Sequence, residues 1–206
     1  MSIEREAHWR NVYADKQPED VSWFQARPEQ SLLALDRFEA EPSQSLIDVG
    51  GGASTLIDAL LARGWHDLTV LDIAAPALAA AQARLGEGSA RVTWVAADIT
   101  TWQPPRQYDI WHDRAVFHFL TEPAQRTAYL RALLAGLVEG GLAIFATFAL
   151  DGPEKCSGLV VERYDAAKLV ATLGPHFRLE ASWGDEHLTP WGSPQAFNWC
   201  VLRRLA

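Results

Sequence analysis

Cysteine is scarce in this chain: Cys156 and Cys200, two in 206 residues, cannot build a disulfide framework or a four-ligand zinc site. Methionine is scarcer still, with Met1 alone. No run of ~18 apolar residues occurs, so nothing reads as membrane-spanning. The charged opening MSIEREAHWRNVY lacks the apolar stretch of a secretory leader. Basic runs are also missing. Eighteen Lys and Arg against 26 Asp and Glu leave a formal charge of −8, which speaks against a nucleic acid as partner. Internal repeats and low-complexity segments are absent. What is present is 49% apolar and 21% charged residues, an ordinary globular balance, and nine tryptophans. The expectation is one acidic, cytoplasmic domain with a real core over residues 1–206.

Trp9, Val12 and Tyr13 share a helical face, broken at Gln17-Pro18-Glu19-Asp20, and Leu32, Leu33, Leu35 and Phe38 predict a second helix. From Ser45 strands and helices alternate. Strands are expected at 46–49, 68–72, 92–95, 108–111 and 142–148. The intervening helices have local start and stop signals. Thr55 and Asp58 form a capping-box pattern and Gly64 a stop; Pro76 opens the next helix; Thr121 caps a third, which Gly140-Gly141 ends. The unbroken apolar run Leu142–Phe148 suits a strand covered on both faces. Such alternation predicts right-handed βαβ units and a parallel sheet. After 148 the pattern predicts a loop at 151–158, a helix at 165–173, and an antiparallel edge pair at 177–183 and 197–203. Residues 1–44 read as a helical cap, 45–148 as the core and 149–206 as a closing segment.

The segment carrying chemistry is Asp48-Val49-Gly50-Gly51-Gly52-Ala53-Ser54-Thr55, between a buried strand and a helix, where a doubly wound sheet binds its ligand. A dinucleotide fingerprint needs a third glycine at residue 55, which is Thr. Asp48 would repel a pyrophosphate and suits a cationic amine or sulfonium.

This stretch resembles motif I of class I S-adenosylmethionine-dependent methyltransferases, D-x-G-x-G-x-G, with Ser54 for the last glycine. The resemblance covers roughly 45–148. It implies a seven-stranded, mostly parallel sheet with an antiparallel closing strand, and S-adenosylmethionine as cofactor with S-adenosylhomocysteine as product. It places Asp48, Gly50 and Gly52 on the cofactor, Asp72 with Ile73 on the ribose, and Asp98 with Ile99 on the adenine. The end of the fourth strand, Trp111-His112-Asp113, would face the transferred methyl, and Gly140-Gly141-Leu142 resembles the turn into the fifth strand. The entry Trp9-Arg10-x-x-Tyr13, then Trp23-Phe24, is similar to small methyltransferases of the lysine-methyltransferase-like branch. Asp113-Arg114-Ala115-Val116-Phe117 resembles that branch's D-K-G-x-[FW]-D, with Ala115 for Gly and His118 for the final Asp.

Methyl transfer from a sulfonium is an in-line displacement with a good neutral leaving group, so positioning and desolvation do most of the work. His112, Asp113 and His118 are the candidate catalytic residues, an imidazole near neutral pH serving as base or orienter. Asp113 also joins the cofactor set, and Trp23 is a candidate lid over it. Cys156 and His187 are candidates for the substrate side. His112, His118 and Cys156 lack metal-ligand spacing, so no metal is expected. The break at His118 favours a small-molecule acceptor over a protein lysine, with N, O or S left open, as is the oligomeric state. A nicotinamide-dependent oxidoreductase and a non-catalytic cofactor-binding module are the alternatives. Trp9, Trp23, Trp111, Trp191 and Trp199 are expected to gather at the mouth of the site, with Trp65, Trp94, Trp102 and Trp183 as packing.

Overall fold

A four-residue strand whose side chains are all buried, β1 (Leu46–Val49), is an interior strand, third of seven, in the main sheet. A computed structural model describes residues 2–15 and 18–206 of the chain. The other strands are β2 (Leu68–Asp72), β3 (Val92–Ala96), β4 (Tyr108–Arg114), β5 (Leu137–Phe148), β8 (Phe177–Leu188) and β9 (Pro194–Arg204). Their order is β3-β2-β1-β4-β5-β9-β8. Neighbours from β3 to β5 pair in parallel; β9 runs antiparallel to both β5 and β8.

Among the described residues six α-helices surround the sheet: α1 (Ser2–Asp15), α2 (Glu29–Arg37), α3 (Leu56–Ala62), α4 (Ala75–Leu85), α5 (Pro123–Gly136) and α6 (Ala166–Leu173). Because side chains alternate along a strand, the sheet has two apolar faces. Leu46, Ile110 and Ile144 pack on one with Leu35 of α2, Leu60 of α3 and Leu78 of α4. Ile47, Val49 and Trp111 pack on the other with Leu133 of α5 and Leu169 of α6. Burial on both faces is why these strands read as continuous apolar runs.

Several local expectations shift. The Thr55 hydroxyl donates to the Gln25 carbonyl (2.9 Å) and makes no cap bond, so the capping box with Asp58 does not form; Ser54 Oγ accepts the Leu56 N–H instead (3.1 Å). Glu122, not Thr121, caps α5 and donates its N–H to the Gln125 side chain (3.3 Å). That helix ends at Gly136, before Gly140-Gly141, because Leu137 already pairs with Tyr108. The loop at 151–158 carries a short hairpin, β6 (Lys155–Cys156) with β7 (Leu159–Val160). Both late strands are longer than expected, and β9 lies inside the sheet with only β8 at the edge. Of the expected break after α1, Pro18–Asp20 is a 3₁₀ turn and Gln17 lies outside the described residues.

Asp165 caps α6, its carboxylate accepting the Lys168 N–H at 2.8 Å. Asp165→Ala is expected to lower stability by about 1 kcal/mol, read as a lower urea midpoint at unchanged slope.

Candidate active site

The sheet order reverses between β1 and β4, and the cleft lies there, beyond the carboxyl ends of the strands. It encloses about 780 Å³ of empty space, open solvent included. Gly50, Asp72, Ile73, Asp98 and Ile99 all line it. The glycine loop after β1 is pressed close. Gly50 and Gly52 have φ of +70° and +42°, and a Cβ on Gly52 would stand 2.8 Å from Asp72 Oδ2 and 3.2 Å from the Tyr13 hydroxyl. Asp72 is 7% exposed. Burial, and then the nearby Asp48 charge, push its carboxyl up to about 7 against hydrogen bonds from Ala74, Gly52 and Ile73. Asp98 is occupied: Oδ2 accepts from Arg5 (2.8 Å), and Oδ1 accepts the Thr100 N–H (2.9 Å) and hydroxyl (2.7 Å).

An adjoining lobe is lined by Asp48, Gly51, Ser54 and His112, with Tyr13, Trp23, Gly50 and Arg114 shared between the two. Register explains its floor. His112 on β4 is the cross-strand partner of Asp48 on β1, so their side chains share a face. His112 Nδ1 and Asp48 Oδ1 lie 2.7 Å apart, and His112 Nε2 meets Ser31 Oγ of α2 at 3.0 Å. Asp48 Oδ2 is shut from solvent and has no hydrogen-bond partner.

The next residue, Asp113, points to the opposite face. It is fully buried; Oδ1 accepts the Val116 and Phe117 N–H groups (2.9 and 3.2 Å), and Oδ2 accepts the Tyr129 hydroxyl (2.6 Å). Burial holds its carboxyl up at about 6 against those bonds. His118 is also fully buried, between Phe119 and Phe148, and its Nδ1 accepts the Phe148 N–H at 3.3 Å. Burial, then the Arg114 charge, push its pKa down to about 3.

The N-terminal segment covers the cleft. Trp9 meets Trp23 and Phe119 edge-on, with ring centroids 5.6 and 5.0 Å apart, and Trp23 Nε1 donates to the Tyr13 hydroxyl at 3.3 Å. Burial, then the Asp72 charge, raise the Tyr13 phenol, and burial lifts the Cys156 thiol to about 11. Cys156 lines the cleft; His187 does not, and instead donates from Nε2 to the Ser22 carbonyl at 2.7 Å.

Residues 46–141 match the model of a methyltransferase domain family. An uncharacterized methyltransferase of Mycobacterium bovis is 34% identical over 168 residues, covering 80% of this chain and 77% of that protein. The chain belongs to the class I S-adenosylmethionine-dependent methyltransferase family. A malonyl-[acyl-carrier protein] O-methyltransferase of Anoxybacillus flavithermus is 34% identical over 116 residues, 56% of this chain and 43% of that relative. The chain thus spans less than half the length of that curated relative. The fold matches the 1,6-didemethyltoxoflavin-N1-methyltransferase of Burkholderia thailandensis, solved with S-adenosylhomocysteine. Its TM-score is 0.69 at 20% identity, covering 99% of this chain and 85% of that one.

Against this family frame, the geometry divides the expected residues. Gly50, Asp72, Ile73, Asp98, Ile99 and Trp23 converge on one cleft, and Asp48 floors its second lobe beneath Gly51. Gly52 belongs to the same loop, against Asp72. The three expected catalytic residues divide as well: among them only His112 lines the second lobe. His112 is 2% exposed and held from both ring nitrogens, Asp113 is closed inside the α5 face, and His118 is a neutral core imidazole. The narrower lysine-methyltransferase-like resemblance is not supported: curated relatives at 34% identity are named for malonyl-[acyl-carrier protein] and, in Afipia carboxidovorans, for trans-aconitate.

The tryptophans also divide. Trp9 and Trp23 line the cleft. Trp111 is buried against Tyr129, Trp199 stacks on Trp183 at 6.0 Å, and Trp191 is 60% exposed. Arg5, Tyr13 and Arg114 line the cleft without having been singled out as site residues. The i, i+4 spacing of Trp9 and Tyr13 was the available signal, and it reads equally well as packing. Among the described residues no cluster suits a metal ion, and no helix is long and apolar enough to cross a membrane.

Proposed function

We propose that the chain transfers a methyl group from S-adenosylmethionine to a small-molecule acceptor. The observation that carries this reading is the loop Gly50–Gly52, pressed so close to Asp48 and Asp72 that a side chain at Gly51 or Gly52 would collide with a carboxylate oxygen. Close backbone approach and two buried carboxylates fit a ligand with hydroxyl donors on one side and a cation on the other. In this reading Asp72 takes the ribose hydroxyls, Ile73 and Ile99 flank the adenine beside Asp98, and Asp48 serves the cationic methionine end. When bound, the cofactor supplies a methyl group activated on a sulfonium. Trp9, Tyr13 and Trp23 exclude water over it. Small-molecule acceptors in the names of the malonyl-[acyl-carrier protein] and didemethyltoxoflavin enzymes support the acceptor class.

Isothermal titration with S-adenosylhomocysteine tests it. Wild-type protein is expected to bind, and Asp72→Ala to bind about 30-fold more weakly, as loss of a charge-assisted pair of hydrogen bonds implies. Unchanged affinity in that variant would remove the ribose assignment. The same titration carries a pH signature. The ionised Asp72 accepts from two hydroxyls and the protonated form has lost one acceptor. Affinity therefore rises from pH 6 to 8 with a midpoint at about 7, and the slope disappears in Asp72→Asn.

A further inference from the structure

Arg114 ends β4 at the wall shared by both lobes of the cleft. Alternation along β4 puts it on the face of His112, away from that of Asp113. Its Nη1 donates to the Trp23 carbonyl at 2.9 Å, and the guanidinium lies 5.3 Å over the Phe197 ring. Nη2 is closed to solvent and has no hydrogen-bond partner. Burial pulls the guanidinium down to about 10 against the Asp185 and Asp48 charges, which favour its charged form, and no ion pair holds it among the described residues. A side chain that carries a permanent charge is thus held at the cleft wall with a donor unused. Such a donor is costly unless a ligand meets it. The planar fork of an arginine matches a carboxylate.

Apolar side chains stand in the same cleft wall: Trp23, Val116, Phe119 and Leu120. Among the described residues that line the two lobes the imidazole is His112, and both its ring nitrogens are engaged, by Asp48 and by Ser31. Cys156, which does line the cleft, has a thiol that burial keeps protonated. A nucleophile without a proton to lose fits these surroundings. We propose that the acceptor is a carboxylic acid with an apolar body, seated by its carboxylate on Arg114 and methylated on oxygen there. This rests on the methyl-transfer reading above and narrows its acceptor. One carboxylate oxygen accepts from Arg114 while the other forms the new C–O bond. The methyl C–S bond breaks, its electron pair stays on sulfur as a neutral thioether, and no proton moves. The product is a methyl ester.

The test uses full-length protein, S-adenosylmethionine labelled in the methyl group, and a panel of phenylacetate, indole-3-acetate, octanoate and succinate beside butylamine, phenol and thiophenol. The expected result is label in an apolar acid as an ester that releases methanol in alkali. Arg114→Gln is expected to lower kcat/KM for that acid by about 20-fold, chiefly through KM. Its affinity for S-adenosylhomocysteine should stay within about twofold of wild type, and Arg114→Lys should restore part of the loss. Base-stable label on the amine or thiol, no ester from any acid, or an Arg114→Gln variant with unchanged KM would each overturn the proposal. Failure of wild-type protein to bind S-adenosylhomocysteine would instead strike the underlying reading. The titration therefore tells the two failures apart. If Arg114→Gln loses the cofactor as well, the residue positions Trp23, and the acceptor role is refuted.

Discussion

Asp48→Ala is expected to destabilise the protein by about 3 kcal/mol, the upper end for leaving a buried hydrogen-bonding group without its partner. Asp48 is 2% exposed and faces His112 from the neighbouring strand, and His112 reaches on to Ser31. The carboxylate thus terminates a buried chain joining β1, β4 and α2. Its removal leaves His112 Nδ1 without the partner it meets at 2.7 Å. Asp48→Asn keeps an acceptor and is expected to cost about 1–2 kcal/mol. A urea melt of the three proteins checks the order. A loss below about 1 kcal/mol for Asp48→Ala would show that the triad is not sealed. The variant also separates fold from function, because the opposite oxygen of Asp48 is the one unpaired beneath Gly51.

Gly50→Ala is the second large effect. Gly50 sits at φ +70°, and a Cβ there would lie 1.9 Å from Val116 Cγ2. Left-handed backbone costs an L-residue roughly 1–2 kcal/mol, and overpacking adds roughly 1–3 kcal/mol. The expected destabilisation is about 4 kcal/mol, with loss of measurable S-adenosylhomocysteine binding as the loop shifts. Val116→Ala in the same chain removes the colliding methyl. The double variant should then recover the overpacking part and keep only the backbone part, about 1–2 kcal/mol. If Val116→Ala rescues nothing, the strain is not at that contact.

The strands and most helices were legible because burial on both faces leaves long apolar runs, and glycine and proline mark their ends. The lining of the cleft was legible for a related reason: Gly50, Asp72 and Asp98 stand at or just beyond strand ends, and strand ends can be counted along a chain. Alternation divides the expected catalytic residues. β4 continues to Arg114, beyond the expected end at Trp111, so His112 and Asp113 turn to opposite faces of a sheet covered on both sides. Their partners, Ser31 and Tyr129, are 81 and 16 residues away, and no local pattern reveals that a polar residue will be satisfied from such distances. Arg114 was hidden for the converse reason. Its place in the cleft depends on the cap and on Phe197 of β9 converging on the end of β4.

The insertion of β9 between β5 and β8 has a consequence for how the chain is made. β5 presents Ala143-Ile144-Phe145-Ala146 as an edge that only β9 covers, through pairs such as Phe145 with Cys200. β8 is synthesised earlier but has no neighbour other than β9. On a chain growing from its N-terminus, that apolar edge therefore stays open until residues 194–204 emerge. Open apolar edges template intermolecular pairing. Aggregation during expression should accordingly respond to substitutions in β9 far more strongly than to equally buried ones in β2, even where the finished proteins are equally stable.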